Sequence, residues 1–169
     1  MKSKLSKINP MATQILEPVS RSWTIRRDEK RRRIELVEPW MIGAILPKEK
    51  IIQALETLIV SGDRIVLEGD NQKQADFLSR SLVQVDAKRI HDLHLIISSI
   101  SQPEHLTLFE LGIAKKVDFA FAGPQSLRVS QLLEDGQLVI GAIYTYVELY
   151  ARLLVDLVPD VVIGRQTWN

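Results

Sequence analysis

Residues 61–82, SGDRIVLEGDNQKQADFLSRSL, read as a strand, a loop with a single glycine, and a helix in immediate succession. Ile65, Val66 and Leu67 are a short continuous apolar run, the pattern of a parallel strand buried on both faces, and Gly69 ends it. From Ala75 onward the spacing turns helical: Ala75, Leu78, Leu82 and Val85 fall on one face, with Asp70 or Asn71 as the expected cap. In open α/β sheets, ligands bind beyond the carboxyl ends of the strands, where loop and helix-start N–H groups are free to meet them. Glu68, Gly69, Asp70, Asn71, Gln72, Lys73 and Gln74 occupy that edge and form the candidate ligand site.

One glycine is too few for a dinucleotide fingerprint or a P-loop, and Asp70 would repel a phosphate. The side-chain amides of Asn71, Gln72 and Gln74 offer neutral donors and Lys73 a mobile positive charge, a set suited to a polar group or a thioester. The plainer alternative is a solvated loop followed by a capped helix.

The same strand and helix rhythm continues on either side. Upstream, Pro47 opens a helix whose buried face is Ile51, Ile52, Leu55, Leu58 and Ile59, with Gly62 after its end. Downstream, strands are expected at 93–98, 117–121, 138–143 and 161–163. The helices between them place Leu106, Phe109 and Ile113, then Leu127 with Leu132 or Leu133, then Tyr146, Leu149, Tyr150, Leu153 and Leu157 on apolar faces. Ser101 and Glu104 are spaced as a capping box, His105 is expected in solvent in the first turn, and Gly136 is a natural C-terminal cap. This alternation implies parallel βαβ units, hence an α/β fold with an open, mostly parallel, doubly wound sheet. The last strand is followed by no covering helix, which reads as a truncated domain.

At 169 residues, 46% hydrophobic and 25% charged, the chain has the length and composition of one soluble domain with a substantial core. Residues 1–20 carry little periodicity and are expected to be poorly ordered, leaving 21–169 as the α/β domain. No apolar run reaches the roughly 18 residues of a membrane span, and the N-terminus lacks the apolar core of a secretory signal, so the expected location is cytoplasmic. With no cysteine, thiolate catalysis and zinc–thiolate sites are excluded. Seven basic residues between Arg21 and Arg33 face only Asp28 and Glu29. Asp28 with Arg32 and Glu29 with Arg33 stand four apart, acid first, and Trp23, Ile34 and Val37 form a stripe, as in a helix that Pro39 stops. No aromatic residues interleave the arginines to stack bases, which argues against nucleic acid.

Four strand-end loops are placed to share one crevice: 69–74, 98–102, 122–125 and 144–146. They hold amides, hydroxyls and glycines rather than metal ligands, and His91 and His94 are expected on opposite faces of a strand, so no metal site is expected. Glu68, at the strand end, is placed to act as base or nucleophile, or more plainly to turn aside and accept from a loop N–H. Arg128, in the first turn after Gly123-Pro124-Gln125, is placed to clamp a substrate carboxylate or to lie on the surface.

The strings IVLEGDNQKQADFLSRSL, HDLHLIISSISQPEHLTLFELGIAKKVDFAFAGPQSLR and VSQLLEDGQLVIGAIYTYVELYARLLVDLVP closely resemble the alpha subunit of bacterial malonate decarboxylase, over about Trp23 to Val162. The resemblance implies an acetyl-carrier-protein:malonate carrier-protein transferase with the fold of the coenzyme A transferases. Malonate would replace acetate on the thioester of an acyl carrier subunit whose arm is a phosphoribosyl-dephospho-coenzyme A group, other subunits would complete the decarboxylation, and no tightly bound cofactor is implied. Such an exchange needs donors for a carbonyl oxyanion and a dry place for the thioester. Gly69, Asn71, Gln72, Gly123 and Gln125 would line the arm, and Lys73 would favour the anionic arm or malonate. Members of the family are much longer, and related transferases carry their nucleophilic glutamate in the second half, so this chain resembles an N-terminal portion, expected to be incomplete and inactive alone. The rival reading is a non-catalytic module that holds coenzyme A or a carrier subunit through residues 71–74 and the basic helix.

Overall fold

The computed structural model describes residues 19–69 and 75–164, with side chains from Thr24 onward. The described residues up to Pro39 and those from Trp40 onward form separate compact units. In the first, α1 (Val19–Val37) begins two residues before Arg21 and stops before Pro39, which cannot continue a helix. Arg33 donates to Glu29 over 2.8 Å, one of the two expected pairs. Ile34, expected on the apolar stripe, is 51% exposed.

In the second unit, α2 (Ile51–Leu58) leads into β1 (Arg64–Leu67). Then come α3 (Asp76–Leu82), β2 (Leu93–Ser99), α4 (Pro103–Glu110), β3 (Ala114–Phe121), α5 (Ser126–Glu134), β4 (Val139–Ile143), α6 (Tyr146–Val155) and β5 (Val161–Ile163). All the strand pairings are parallel, and the strand order is β4-β3-β2-β1-β5. From β1 to β4 the chain steps outward in one direction, so right-handed crossovers place α3, α4 and α5 on one face of the sheet. The next crossover returns across the sheet to the far side of β1, which puts α6 on the opposite face. This is the doubly wound parallel α/β sheet expected from the sequence, of the coenzyme A transferase type.

Side chains confirm the two faces. Ile65, Leu67, Leu95, Ile97, Val117 and Phe119 join the large core with Leu82, Leu106, Phe109 and Leu132 from the helices. Ile96 packs on the other face with Leu149 and Leu157. In β2, the residues Leu93, Leu95, Ile96 and Ile97 are all at most 1% exposed, and each such burial contributes roughly 1.5–3 kcal/mol, which makes β2 the spine of the unit. Among the described residues only α6 covers the second face, and Val66 is half-buried instead of fully buried as its apolar run suggested.

Several local expectations change. Among the described residues no side chain caps α3, which starts at Asp76 with Ala75 in the cap position; Asp70 and Asn71, the expected caps, lie outside the described residues. Pro103 takes the first helical position of α4 and makes extended Gln102 the cap residue, which releases Ser101 from the expected capping box. Val129 and Leu132, three apart, set the buried face of α5, so Leu127 points outward at 71% exposure. Gly136 does follow α5 with φ at +70°, the left-handed conformation that glycine adopts without strain. Among the described residues no helix is long and apolar enough to cross a membrane.

Candidate functional site

The return of the chain to β5 creates the feature that positions a site. Strand β1 is followed by α3 on one face of the sheet and β5 is preceded by α6 on the other, and the crevice beyond their carboxyl ends is where open α/β sheets hold ligands. The pair is fixed at its start by Asp160, whose Oδ2 accepts from the Arg64 N–H at 2.9 Å while its own N–H donates to the Arg64 carbonyl at 2.8 Å. At its end the Glu68 N–H donates to the Ile163 carbonyl at 2.9 Å.

A cavity of about 730 Å³ opens there between the sheet and α6. Val66, Ile96, Leu149, Leu153 and Val162 make its walls apolar, while Glu68, Ser98 and Tyr150 supply a carboxylate and two hydroxyls. Gly164 closes the far side, and a methyl group on it would lie 2.9 Å from Glu68 Oε2. The absence of a side chain at residue 164 thus leaves room for the Glu68 carboxylate. The sequence reading chose Glu68 but missed that β5 and α6 face it, because nothing local in a sequence says on which side of β1 the last strand will pair.

On the other flank of Glu68, the β2–α4 turn grips the end of β1. Ser101 Oγ donates to the Gly69 carbonyl at 2.8 Å. Gly69 must be glycine: a methyl group would run into the Ser99 carbonyl and lie 2.8 Å from Ile97 Cγ2 and 3.0 Å from His105 Cε1. The Gln102 side-chain amide donates to Asp76 Oδ1 in the first turn of α3. His105, expected in solvent, is fully buried. Burial lowers its pKa from 6.5 to about 4, against a smaller opposing pull from Asp76, so the ring is neutral at pH 7. Its spacing from Leu108 and Phe109 was the available signal, since three and four residues apart share a helix face.

Asn71, Gln72 and Lys73 lie outside the described residues. Gly123 and Gln125 sit in the short 3-10 turn after β3, with Gly123 at φ +54°. Gly123 approaches the end of β2, where a methyl group would come within 3.9 Å of the Ile100 carbonyl. Arg128 is engaged within the fold: Nε and Nη2 fork onto the Glu110 carboxylate at 2.7 and 2.5 Å, and Nη1 donates to the Pro103 carbonyl at 2.9 Å. A substrate carboxylate would have to displace Glu110 to reach it. The histidines 91 and 94 have separate acidic partners, Asp92 at 2.7 Å and Asp118 at 2.5 Å.

Comparison with known proteins agrees with this architecture. Residues 22–166 match the family described as malonate decarboxylase, alpha subunit, transporter, and the match continues past Val162, where the likeness was expected to stop. An acetyl-S-ACP:malonate ACP transferase of Malonomonas rubra is 48% identical over 117 residues, 69% of this chain and 21% of that protein. In a Pseudomonas malonate decarboxylase hetero-tetramer in complex with malonate, one chain superposes with a TM-score of 0.80 at 64% identity, covering 83% of this chain and 26% of that one. The malonate decarboxylase alpha subunit of Acinetobacter baumannii gives the same TM-score and coverage at 60% identity. The chain therefore spans about a fifth to a quarter of the length of these relatives. On the family match and the shared fold, it belongs to the malonate decarboxylase alpha subunit family.

Proposed function

We propose that this chain supplies the first part of a thioester-exchange site, in which malonate replaces acetate on an acyl carrier protein. The whole enzyme would be an acetyl-S-ACP:malonate ACP transferase acting in the cytoplasm beside the other subunits of a malonate decarboxylase. The observation that carries the reading is the apolar cavity at the β1–β5 switch point with Glu68 at its rim. A thioester is a weakly hydrated acyl group, and apolar walls keep water from hydrolysing it while nearby N–H donors steady the carbonyl oxygen. In this reading Gly69, Asn71, Gln72, Gly123 and Gln125 line the arm of the carrier, a phosphoribosyl-dephospho-coenzyme A group. Lys73 draws the anionic arm or malonate, and Glu68 lies beside the reacting carbonyl. The fork of Arg128 would serve a substrate carboxylate only after release from Glu110.

The test is a titration of the isotope-labelled chain with acetyl-dephospho-coenzyme A, followed by amide NMR. Peaks of Glu68, Gly69, Ser98 and Gly164 should move together and saturate, and Lys73→Ala should weaken the response about fivefold through loss of a charge-assisted contact. Shifts confined to α1, or no saturable shift, would overturn the assignment. In the assembled enzyme, Glu68→Gln that lowers turnover with unchanged binding places the carboxylate in the chemistry; weaker binding at normal turnover makes the crevice a holding module.

A further inference from the structure

Gly164 is a glycine that the backbone does not require. Unlike Gly123 and Gly136 it takes no positive φ, so an alanine there would meet no backbone strain and would leave the unfolded chain less freedom to lose. The three atoms nearest to an added methyl group all belong to Glu68: Oε2 at 2.9 Å, Cδ at 3.5 Å and Cβ at 3.8 Å. Only the first is too close, and it is the far end of a flexible side chain. Gly69 and Gly141 differ in this respect, the one hemmed in by the Ser99 backbone carbonyl and the other by the buried Asp118 carboxylate. What a glycine at 164 preserves is therefore the seat of the Glu68 carboxylate rather than the fold. Glu68 stands with a neighbour on either side: Gly164 just past β5, where the Glu68 N–H meets the Ile163 carbonyl, and Ser98 on β2, two residues beyond the pairing of Val66 with Ile96. All three line the cavity under α6.

We propose that Gly164 is a positioning residue for the exchange site: the gap at residue 164 seats the Glu68 carboxylate against the end of β5 and out of the cavity, so that an uncharged acyl thioester can enter beside it. This rests on the thioester reading given above. A methyl group at 164 would turn the carboxylate away from β5, toward Ser98 and over the apolar walls of Val66, Ile96 and Leu149. A charge held there resists desolvation, and an entering acyl group would have to displace it. A glycine kept for the backbone alone would have the opposite signature, because replacing it would weaken the fold and leave the ligand unaffected at whatever chain remained folded.

The experiment compares the full wild-type chain with Gly164→Ala, Glu68→Ala and the two together at pH 7. Thermal midpoints, the NMR signal of the Glu68 carboxyl carbon, and the affinity for acetyl-dephospho-coenzyme A by calorimetry are measured. Gly164→Ala should melt at or above the wild-type temperature, move the Glu68 carboxyl signal and bind about tenfold more weakly, in line with the cost of forcing a polar group into apolar surroundings. In the chain that already lacks the carboxylate, the same substitution should weaken binding no further. A lower midpoint for Gly164→Ala overturns the inference, as does an unmoved carboxyl signal, unchanged binding, or an equal further loss in the Glu68→Ala background, which would mean that the added methyl group itself narrows the cavity. If the wild-type chain binds no thioester, the function proposed for the crevice fails, and the midpoint and the carboxyl signal still decide whether Gly164 seats Glu68.

Discussion

At the scale of single residues, the consequence open to direct measurement is the acid sensitivity that His105 builds into the fold. Burial holds its pKa near 4, below the 6.5 of a free imidazole, so the unfolded chain takes up a proton that the folded chain refuses. Its contribution to stability is complete above pH 6.5 and declines as pH falls toward 4, by up to about 3 kcal/mol for a shift of this size. Urea unfolding of the wild-type chain at pH 7, 6, 5 and 4 should show this decline, and His105→Met should flatten it. Equal slopes in the two proteins would mean that carboxylates elsewhere carry the acid response. The residue was misplaced in the sequence reading because a histidine in a first helical turn is usually solvated. The apolar stripe through Leu108 and Phe109 was the stronger indication, since packing decides a side chain's environment more than its type does.

At the scale of elements, most of what the sequence offered was legible because it was local. The apolar runs of β1 to β5 and the helical stripes of α2, α3 and α4 each lie within a dozen residues, and the strands fall where the periodicity put them. What failed was what depends on a neighbour. Ser101 was read as a cap, but the Gly69 carbonyl, 32 residues away in sequence, takes its hydroxyl. Arg128, placed by its sequence position as a substrate clamp or a surface residue, forks onto the Glu110 carboxylate, 18 residues back, and ties α5 to α4. That tie is planar and two-pronged, so a lysine cannot reproduce it. Arg128→Lys and Arg128→Ala should lower stability similarly, each by about 0.5–1 kcal/mol given the partial exposure of both partners, as read from the shift in urea midpoint. Full rescue by lysine would show that charge alone holds the two helices.

At the scale of the whole molecule, the sheet is graded from its centre outward. Both neighbours pair with β2, which buries apolar side chains on its two faces, whereas β5 is three residues long and lies at the edge. Amide hydrogen exchange should follow that gradient, slowest at Leu95, Ile96 and Ile97 and fastest among the strands at Val162. Acetyl-dephospho-coenzyme A should slow exchange in β5 more than in β4, because β5 borders the cavity and β4 stands at the far edge. Uniform slowing throughout the sheet would point to general stabilisation rather than to a ligand seated at the switch point. The doubly wound class was legible from alternation alone, while the position of β5 was not, since it follows from a crossover spanning the sheet.

That crossover also orders events during synthesis. Strands β1 to β4 pair with their immediate successors, so each can join the sheet as it leaves the ribosome, and α3, α4 and α5 can cover one face while translation continues. The bond between Arg64 and Asp160 closes a span of 96 residues. The β1–β5 crevice is thus the last part of the described chain to come into being. A nascent polypeptide halted before Asp160 would carry a four-stranded sheet, already compact, with β1 as an open edge and Glu68 facing solvent, able to accept a strand from another molecule until its own arrives.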